Sequence, residues 1–386
     1  RSSNSIYICL STRKDNNSLF LFFSVGDVVF FVVSNKAFVG SGLTSWWAAT
    51  SDFFSYDFNT SSWSPVATLP VGMERQYASG FSLNGTGYVF GGVNGNTFLN
   101  DLWSYDPTSD TWLQKTSLPS VGRSGSACFV LNDTAYVIGG KTLLDYAIRE
   151  VWAYSILHDV WVQKNDFPFG NRWRASGASD QANGFLIFGR DSLDVFHNAF
   201  YTYNPLQDNW DVLPSFPMLG RSHSQLTFTN AGLFVSCGLD STGLSHNDLW
   251  NYSFQDSVWH KRDTIPAKGR WSGVAFADKS NFFYCMGIDV NTNWIKETWV
   301  FNTSIGIAEN RVNKFKLYPN PTSGILKIGG DLKNSTLKIL DSFGKVVSVF
   351  NGHQQEIDVS ALSAGIYLLR INEPGFVYHA KFIKID

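Results

Sequence analysis

Along most of the chain, apolar residues come in short runs separated by Gly, Asn, Asp and Pro, and aromatic side chains sit at alternate positions within the runs. The stretch LWSYDP, residues 102–107, shows the pattern. Successive side chains of an extended strand point to opposite faces, so Trp103 and Tyr105 share one face. Asn/Asp-rich links such as residues 106–110 supply hairpin turns. The runs also recur at a fixed step. Trp63, Trp112, Trp161, Trp210 and Trp259 are each 49 residues apart. Pro70, Pro119, Pro168, Pro217 and Pro266 keep the same step. So do Tyr56, Tyr105, Tyr154, Tyr203, Tyr252 and Phe301, and Phe54, Trp103, Trp152, Tyr201, Trp250 and Trp299. A glycine column runs through Gly42, Gly91, Gly140, Gly189, Gly238 and Gly287, where a backbone reversal needs positive φ or leaves no room for Cβ.

Each unit reads as four strands, exemplified by Tyr77–Leu83, Gly87–Gly91, Leu102–Tyr105 and Thr111–Lys115. A flat four-stranded unit cannot bury its aromatic face alone, and stacking such units radially does. The sixth unit lacks a fourth strand: one step beyond Trp259 and Pro266 stand Ala308 and Phe315. Residues 1–25 carry no Trp or Pro in phase and no initiator Met or cleavable signal. They read as an atypical opening, either a disrupted start or a degenerate closing strand, for which Ser5–Ser11 is apolar enough.

The repeat resembles the kelch family. The resemblance rests on an Arg that opens each unit, the Gly pairs Gly91–Gly92 and Gly139–Gly140, the aromatic-x-Tyr pair, and a Trp followed seven residues later by Pro. It covers about residues 27–303. Three units depart from it, with Gly189–Arg190, Cys237–Gly238 and Met286–Gly287 in place of the Gly pair.

After residue 303 the phase is lost. Residues 304–314 read as a polar linker, and residues 315–386 as a new domain of short strands. That domain contains LYPNPTSG at Leu317–Gly324, DSFGK at Asp341–Lys345, IDVSAL at Ile357–Leu362, GIY at Gly365–Tyr367 and a basic last strand. In this order the motifs closely resemble the type A C-terminal sorting domain of the type IX secretion system of Bacteroidota-type bacteria. The resemblance implies export, handling of residues 315–386 by the type IX machinery, and release or attachment at the outer-membrane surface. The expected fold class is therefore all-β: a six-bladed kelch-type β-propeller over residues 26–303, then a small C-terminal β-sandwich.

Composition adds to this. Aromatic and charged residues each make up 16% of the chain, so stacking rather than charge dominates its chemistry. The net charge of −2 gives no general attraction for nucleic acid. The first 310 residues carry 20 basic and 26 acidic side chains and the remainder 10 and 6, a sign change that fits two modules. Cys9, Cys128, Cys237 and Cys285 have no metal-ligand spacing and read as buried apolar side chains. No run is long enough for a membrane-spanning helix.

Ligand chemistry is expected on one face. Arg75, Arg123, Arg172, Arg221 and Arg270 open successive units and by position form a partial ring at the mouth of the central channel. Such guanidiniums suit carboxylates and phosphates, or alternatively tie neighbouring loops together. Beside them stand Trp173, Arg174, His223 and Trp271, with Trp46, Trp47 and Trp294 in loops of the first and last units. Tryptophans not required by the repeat suit sugar rings or aromatic ligands. A copper-oxidase reading finds no fitting His and Tyr set, and no cofactor or metal is expected. Two readings stay open: a surface binding module for a glycan, acidic or protein ligand, and a carbohydrate-active enzyme of the sialic-acid mutarotase or lyase type, with His223 as its candidate proton carrier.

Overall fold

The computed structural model describes residues 8–9, 25–180, 182–278, 281–303, 316–329, 332, 335–341, 346–351, 354–373 and 376–386. The chain forms two compact units, Ser5–Ser304 and Ile305–Asp386. The first contains six four-stranded antiparallel sheets, called blades 1 to 6 here in chain order. Blade 1 is built from Val29–Val33, Lys36–Gly40, Phe53–Asp57 and Ser62–Val66. Blade 2 is Ser79–Leu83, Thr86–Phe90, Leu102–Asp106 and Thr111–Lys115. The pattern continues through Ala127–Leu131, Trp173–Ser179 and Gln225–Thr229 as the first strands of blades 3, 4 and 5. In blade 6, Val274–Ala277, Asn281–Cys285 and Thr298–Asn302 supply three strands. Each first strand packs on the first strand of the next blade, and that of blade 6 returns to blade 1, so the blades form a closed circle.

Of the opening segment, residues 8–9 and 25 are described. Ile8–Cys9 is the fourth strand of blade 6, with Ile8 opposite Val300 and Cys9 opposite Trp299. The rest of residues 1–24 and the expected linker at 304–314 lie outside the described residues.

The aromatic columns lie between blades. Tyr105 and Trp112 of blade 2 meet Phe31, Phe38 and Phe53 of blade 1 at centroid distances of 4.9–6.3 Å. Tyr203 and Trp210 meet Phe129 and Tyr136, and Tyr252 and Trp259 meet Phe200. At the closure, Tyr56, Phe58 and Trp63 cluster with Phe276 and Phe283. Each such ring buries about 150–250 Å².

Polar groups on the same side chains add direction. Trp112 Nε1 donates to the carbonyl of Ala67 one blade back at 2.9 Å, Trp161 Nε1 to Thr116 at 2.8 Å and Trp259 Nε1 to Pro214 at 3.0 Å. The Tyr105 hydroxyl donates to Asp110 at 2.6 Å, and the same carboxylate oxygen accepts the Ala67 N–H at 2.8 Å. Tyr154 with Asp159 and Thr116 repeats the arrangement, and Asp208 accepts from Tyr203 and from the Asn165 N–H on its two oxygens.

The glycine of the reversal has φ between 86° and 110° at Gly42, Gly92, Gly140, Gly189, Gly238 and Gly287. In blade 2 the equivalent residue is thus Gly92 rather than Gly91. The chain is one residue longer between Pro70 and Arg75 and one shorter before Asp101, so the 49-residue phase slips and recovers.

The second unit has a three-stranded sheet, Lys316–Tyr318, Ile325–Gly329 and Glu356–Asp358. It also has a four-stranded sheet ordered Val346–Asn351, Thr336–Leu340, Gly365–Glu373 and Phe376–Lys384. Leu326, Ile328, Leu337, Ile339, Leu369, Ile371 and Phe382 form its buried core. Of the expected turn at Asp341–Lys345, only Asp341 is described.

Candidate ligand site at the channel mouth

At or just before the start of its first strand, every blade places one residue in the left-handed region. These are Asp27, Tyr77, Gly125, Arg174, His223 and Ser272, with φ between 55° and 62°. Side chains other than glycine adopt this conformation at a cost, and its repetition points to a positional demand. Backbone hydrogen bonds link five of them in series. The N–H of Tyr77 donates to the carbonyl of Asp27 at 3.1 Å, Gly125 to Tyr77 at 2.8 Å and Arg174 to Gly125 at 2.8 Å. Across the closure, Asp27 donates to Ser272 at 3.0 Å. All six residues line a cavity of about 150 Å³ on the axis, together with the starts of the first strands.

This lining is polar and uneven. Ser272 Oγ donates to Asp27 Oδ1. Burial raises the Asp27 pKa above the usual carboxylate value, opposed by the charge of Arg174 and by hydrogen bonds from Ser272 and Tyr77. His223 Nδ1 is 2.9 Å from Ser222 Oγ, while its Nε2 is buried without a partner and lies 4.0 Å from Asp27 Oδ1. Burial, then the charges of Arg174 and Arg190, hold the His223 imidazole well below its ordinary pKa, so it is neutral. The Arg174 guanidinium lies 4.1 Å from the ring centre of Tyr77 and 4.0 Å from that of Trp173. Its Nε is buried without a partner, and no described carboxylate lies within ion-pair distance of it.

The arginines that open the units do not form the expected ring at the mouth. Arg75, Arg123, Arg172, Arg221 and Arg270 are each no more than 2% exposed. Arg75 holds Asp101 through two bonds of 2.8 Å, and Arg221 holds Asp248 at 2.6 and 2.7 Å. Arg123 pairs with Glu150 at 2.6 Å and Arg270 with Glu297 at 2.9 Å. Two residues beyond each acid a Trp donates its indole N–H to the same carboxylate, from Trp103, Trp152, Trp250 and Trp299. Arginine and carboxylate neutralise each other in the blade interior, which explains why the arginine repeats.

Blade 4 departs from this rule. Ala199 stands where the acid would, and Tyr201 replaces the Trp, its hydroxyl 3.4 Å from Arg172 Nη2. Arg172 Nε has no partner. Introducing Ala199→Glu together with Tyr201→Trp is expected to stabilise the propeller by about 1.5–3 kcal/mol, the range for hydrogen bonds to charged groups. The midpoint of urea unfolding measures it, and an unchanged or lower midpoint counts against this account.

The remaining candidates spread over the same face. Trp173 is buried at the mouth, with its ring 5.0 Å from Tyr146 in an edge contact. Trp271 makes an edge contact with His223 at 5.0 Å. Trp46 and Trp47 are exposed, at 88% and 63%, and Trp47 meets Trp294 edge-on at 5.4 Å, which brings the loops of blades 1 and 6 together. Sequence reading had not singled out Asp27, Tyr77, Gly125, Ser272 or Lys141. The usable signal for the first four was their place two residues beyond the opening-arginine position. Cys237 and Cys285 are buried free thiols, as is the Cys128 sulfur, and burial raises all three pKa values. Among the described residues no cluster of His, Cys, Asp or Glu is placed to hold a metal ion.

Comparison with known proteins adds three findings. Residues 37–238 match the model of the Attractin/LZTR1 β-propeller, and residues 316–385 that of the secretion system C-terminal sorting domain. The N-acetylneuraminate epimerase of Shigella sonnei is 33% identical over 107 residues, which are 26% of this chain and 27% of that protein. That of Escherichia coli K12 is 32% identical over a stretch of the same length and coverage. The match thus spans about a quarter of the length of these curated relatives. The solved structure of YjhT superimposes with a TM-score of 0.64 at 17% identity, covering 74% of this chain and 96% of that one, a likeness of fold.

Proposed function

The chain belongs to the Attractin/LZTR1 β-propeller family, and on that premise we propose that the propeller is a binding module for an acidic sugar-like ligand at the channel mouth, with Arg174 as the counter-charge. The C-terminal sorting domain marks the chain for type IX secretion and the cell surface, where such a module meets extracellular ligands. The observation that carries the reading is Arg174 itself. The unit-opening arginines with acids nearby have spent their charge on those acids, whereas Arg174 lines the mouth and forms no ion pair with a described carboxylate, the buried Asp27 feeling its charge from beyond ion-pair distance. A ligand carboxylate supplies the missing partner through charge-assisted hydrogen bonds. The exposed Trp47 and the half-buried Trp294 offer apolar faces to the rest of the ligand.

The test is calorimetric titration of the full chain with N-acetylneuraminate and galacturonate, using neutral N-acetylglucosamine as control. Arg174→Gln is expected to weaken binding of the acids by about 10–100-fold, corresponding to a hydrogen-bonded charge of about 1.5–3 kcal/mol. Equal affinity in the variant and the parent defeats the reading.

An enzymatic reading has one observation in its favour. A neutral His223 and a buried Asp27 lie 4.0 Å apart beside Arg174, a set suited to moving protons at an anomeric centre. The room available weighs against it. The axial cavity is about 150 Å³, whereas pockets that enclose a whole small ligand run to about 300–1,000 Å³. The two readings separate on the rate of N-acetylneuraminate anomer exchange followed by NMR. A binding module leaves that rate unchanged, and an enzyme raises it in a manner lost in His223→Ala.

A further inference from the structure

The axial cavity has a neighbour on the side of blades 2 to 4. A second cavity of about 380 Å³ shares Tyr77 and Arg174 with it and is lined by Asn96, Ser124, Lys141, Thr142 and Trp173 among others. We propose that this cavity is a second anion subsite, centred on Lys141, so that the ligand is an elongated molecule with two acidic groups, one held at Arg174 and one at Lys141. This proposal rests on the mouth reading and deepens it.

Three observations carry the inference. The first is an unspent charge. Lys141 Nζ lies 4.8 Å from the ring centre of Tyr146 and 5.2 Å from that of Trp173, with no described carboxylate within ion-pair distance. The acids around it are engaged elsewhere: Asp145 accepts from Thr142 Oγ1 at 3.3 Å, and Asp194 holds Arg190 at 3.0 Å and the Tyr146 hydroxyl at 2.9 Å. The backbone of Lys141 is fixed by paired bonds of 2.9 Å to Ser124, so the ammonium rises from a rigid base.

The second is an unspent donor. Trp173 is 7% exposed, and its indole Nε1 is buried without an acceptor, which is a costly state in a dry interior. An acidic group in the cavity that Trp173 lines gives that N–H an acceptor.

The third is adjacency. Tyr77 and Arg174 line both cavities. At Gly125, between them around the mouth, a Cβ would come within 2.6 Å of Trp173 Nε1 and 3.2 Å of Arg174 Cγ, so glycine is what lets the Trp173 indole pack against the mouth. A ligand held at Arg174 therefore lies beside the cavity lined by Lys141 and by Ser124 and Thr142, whose hydroxyls suit a polyhydroxylated body.

The experiment compares galacturonate with its α-1,4-linked dimer and trimer by calorimetric titration of the full chain, in the parent, Lys141→Gln and Arg174→Gln. In the parent, the dimer or the trimer is expected to bind about tenfold more tightly than the monomer. In Lys141→Gln that advantage disappears, and in Arg174→Gln all three weaken. If monomer, dimer and trimer bind the parent equally, or if the advantage survives in Lys141→Gln, the second subsite is overturned while the mouth reading stands. If no acid binds the parent, the mouth reading fails and the subsite with it. Lys141 is partly exposed and its substitution leaves no buried acid unpaired, so loss of fold does not mimic the expected result.

Discussion

Replacing Arg221 by methionine is expected to destabilise the propeller by about 3–5 kcal/mol, the cost of breaking a buried ion pair from one side. The methionine fills similar volume but leaves Asp248 buried with the Trp250 indole as its remaining side-chain donor among the described residues, and removes one of the two side-chain bonds to the Cys237 carbonyl, which keeps that from Ser224. In the parent, the hydrogen bond and charge of Arg221 hold the Asp248 pKa below the usual carboxylate value despite burial, which acts in the opposite direction. Chemical denaturation of the full chain measures the loss. A shift under 1 kcal/mol would show that the guanidinium is exposed to solvent rather than locked in the blade. The same substitution at Arg172 has a smaller expected effect, because no carboxylate is abandoned there.

A single methyl group at Gly80 produces the second large effect. In the first strand of blade 2, a Cβ at this position would lie 2.1 Å from the Phe30 carbonyl oxygen and 2.6 Å from Val29 Cγ2, both in the first strand of blade 1. Backbone cannot yield as a flexible side-chain tip does. Gly80→Ala is therefore expected to push the two blades apart and cost about 1–3 kcal/mol, the range for overpacking. The same change at Gly85, in the adjoining turn, meets no neighbour within 4 Å and isolates the backbone contribution, since its φ is 77°. Thermal unfolding of the two variants side by side separates them. A Gly80→Ala protein as stable as the parent would mean that the inner strands are more loosely packed than described.

Much of this architecture could be read from the spacing of large side chains. Trp63 and its successors recur because each must fill the same slot against the preceding blade, and that slot tolerates few shapes. The arginine column was equally visible, but its role was not. A guanidinium in a repeat looks the same whether it faces solvent or a carboxylate. The deciding clue was a second column, the acids Asp101, Glu150, Asp248 and Glu297 two residues ahead of Trp103, Trp152, Trp250 and Trp299. The mouth itself was harder to see. Its six positions carry six different residues, so no identity repeats, and the one-residue slip in blade 2 takes Tyr77 out of phase with Asp27. What unites them is a backbone angle, and composition does not reveal that angle.

At the seam, Ile8 and Cys9 are the described residues that pair with Val300 and Trp299, and they do so within blade 6. The join between that blade and the first is made separately, where Tyr56, Phe58 and Trp63 cluster with Phe276 and Phe283. The wheel is thus riveted at its join by stacked rings, a grip to which the Ile8–Cys9 pairing is an addition rather than the means.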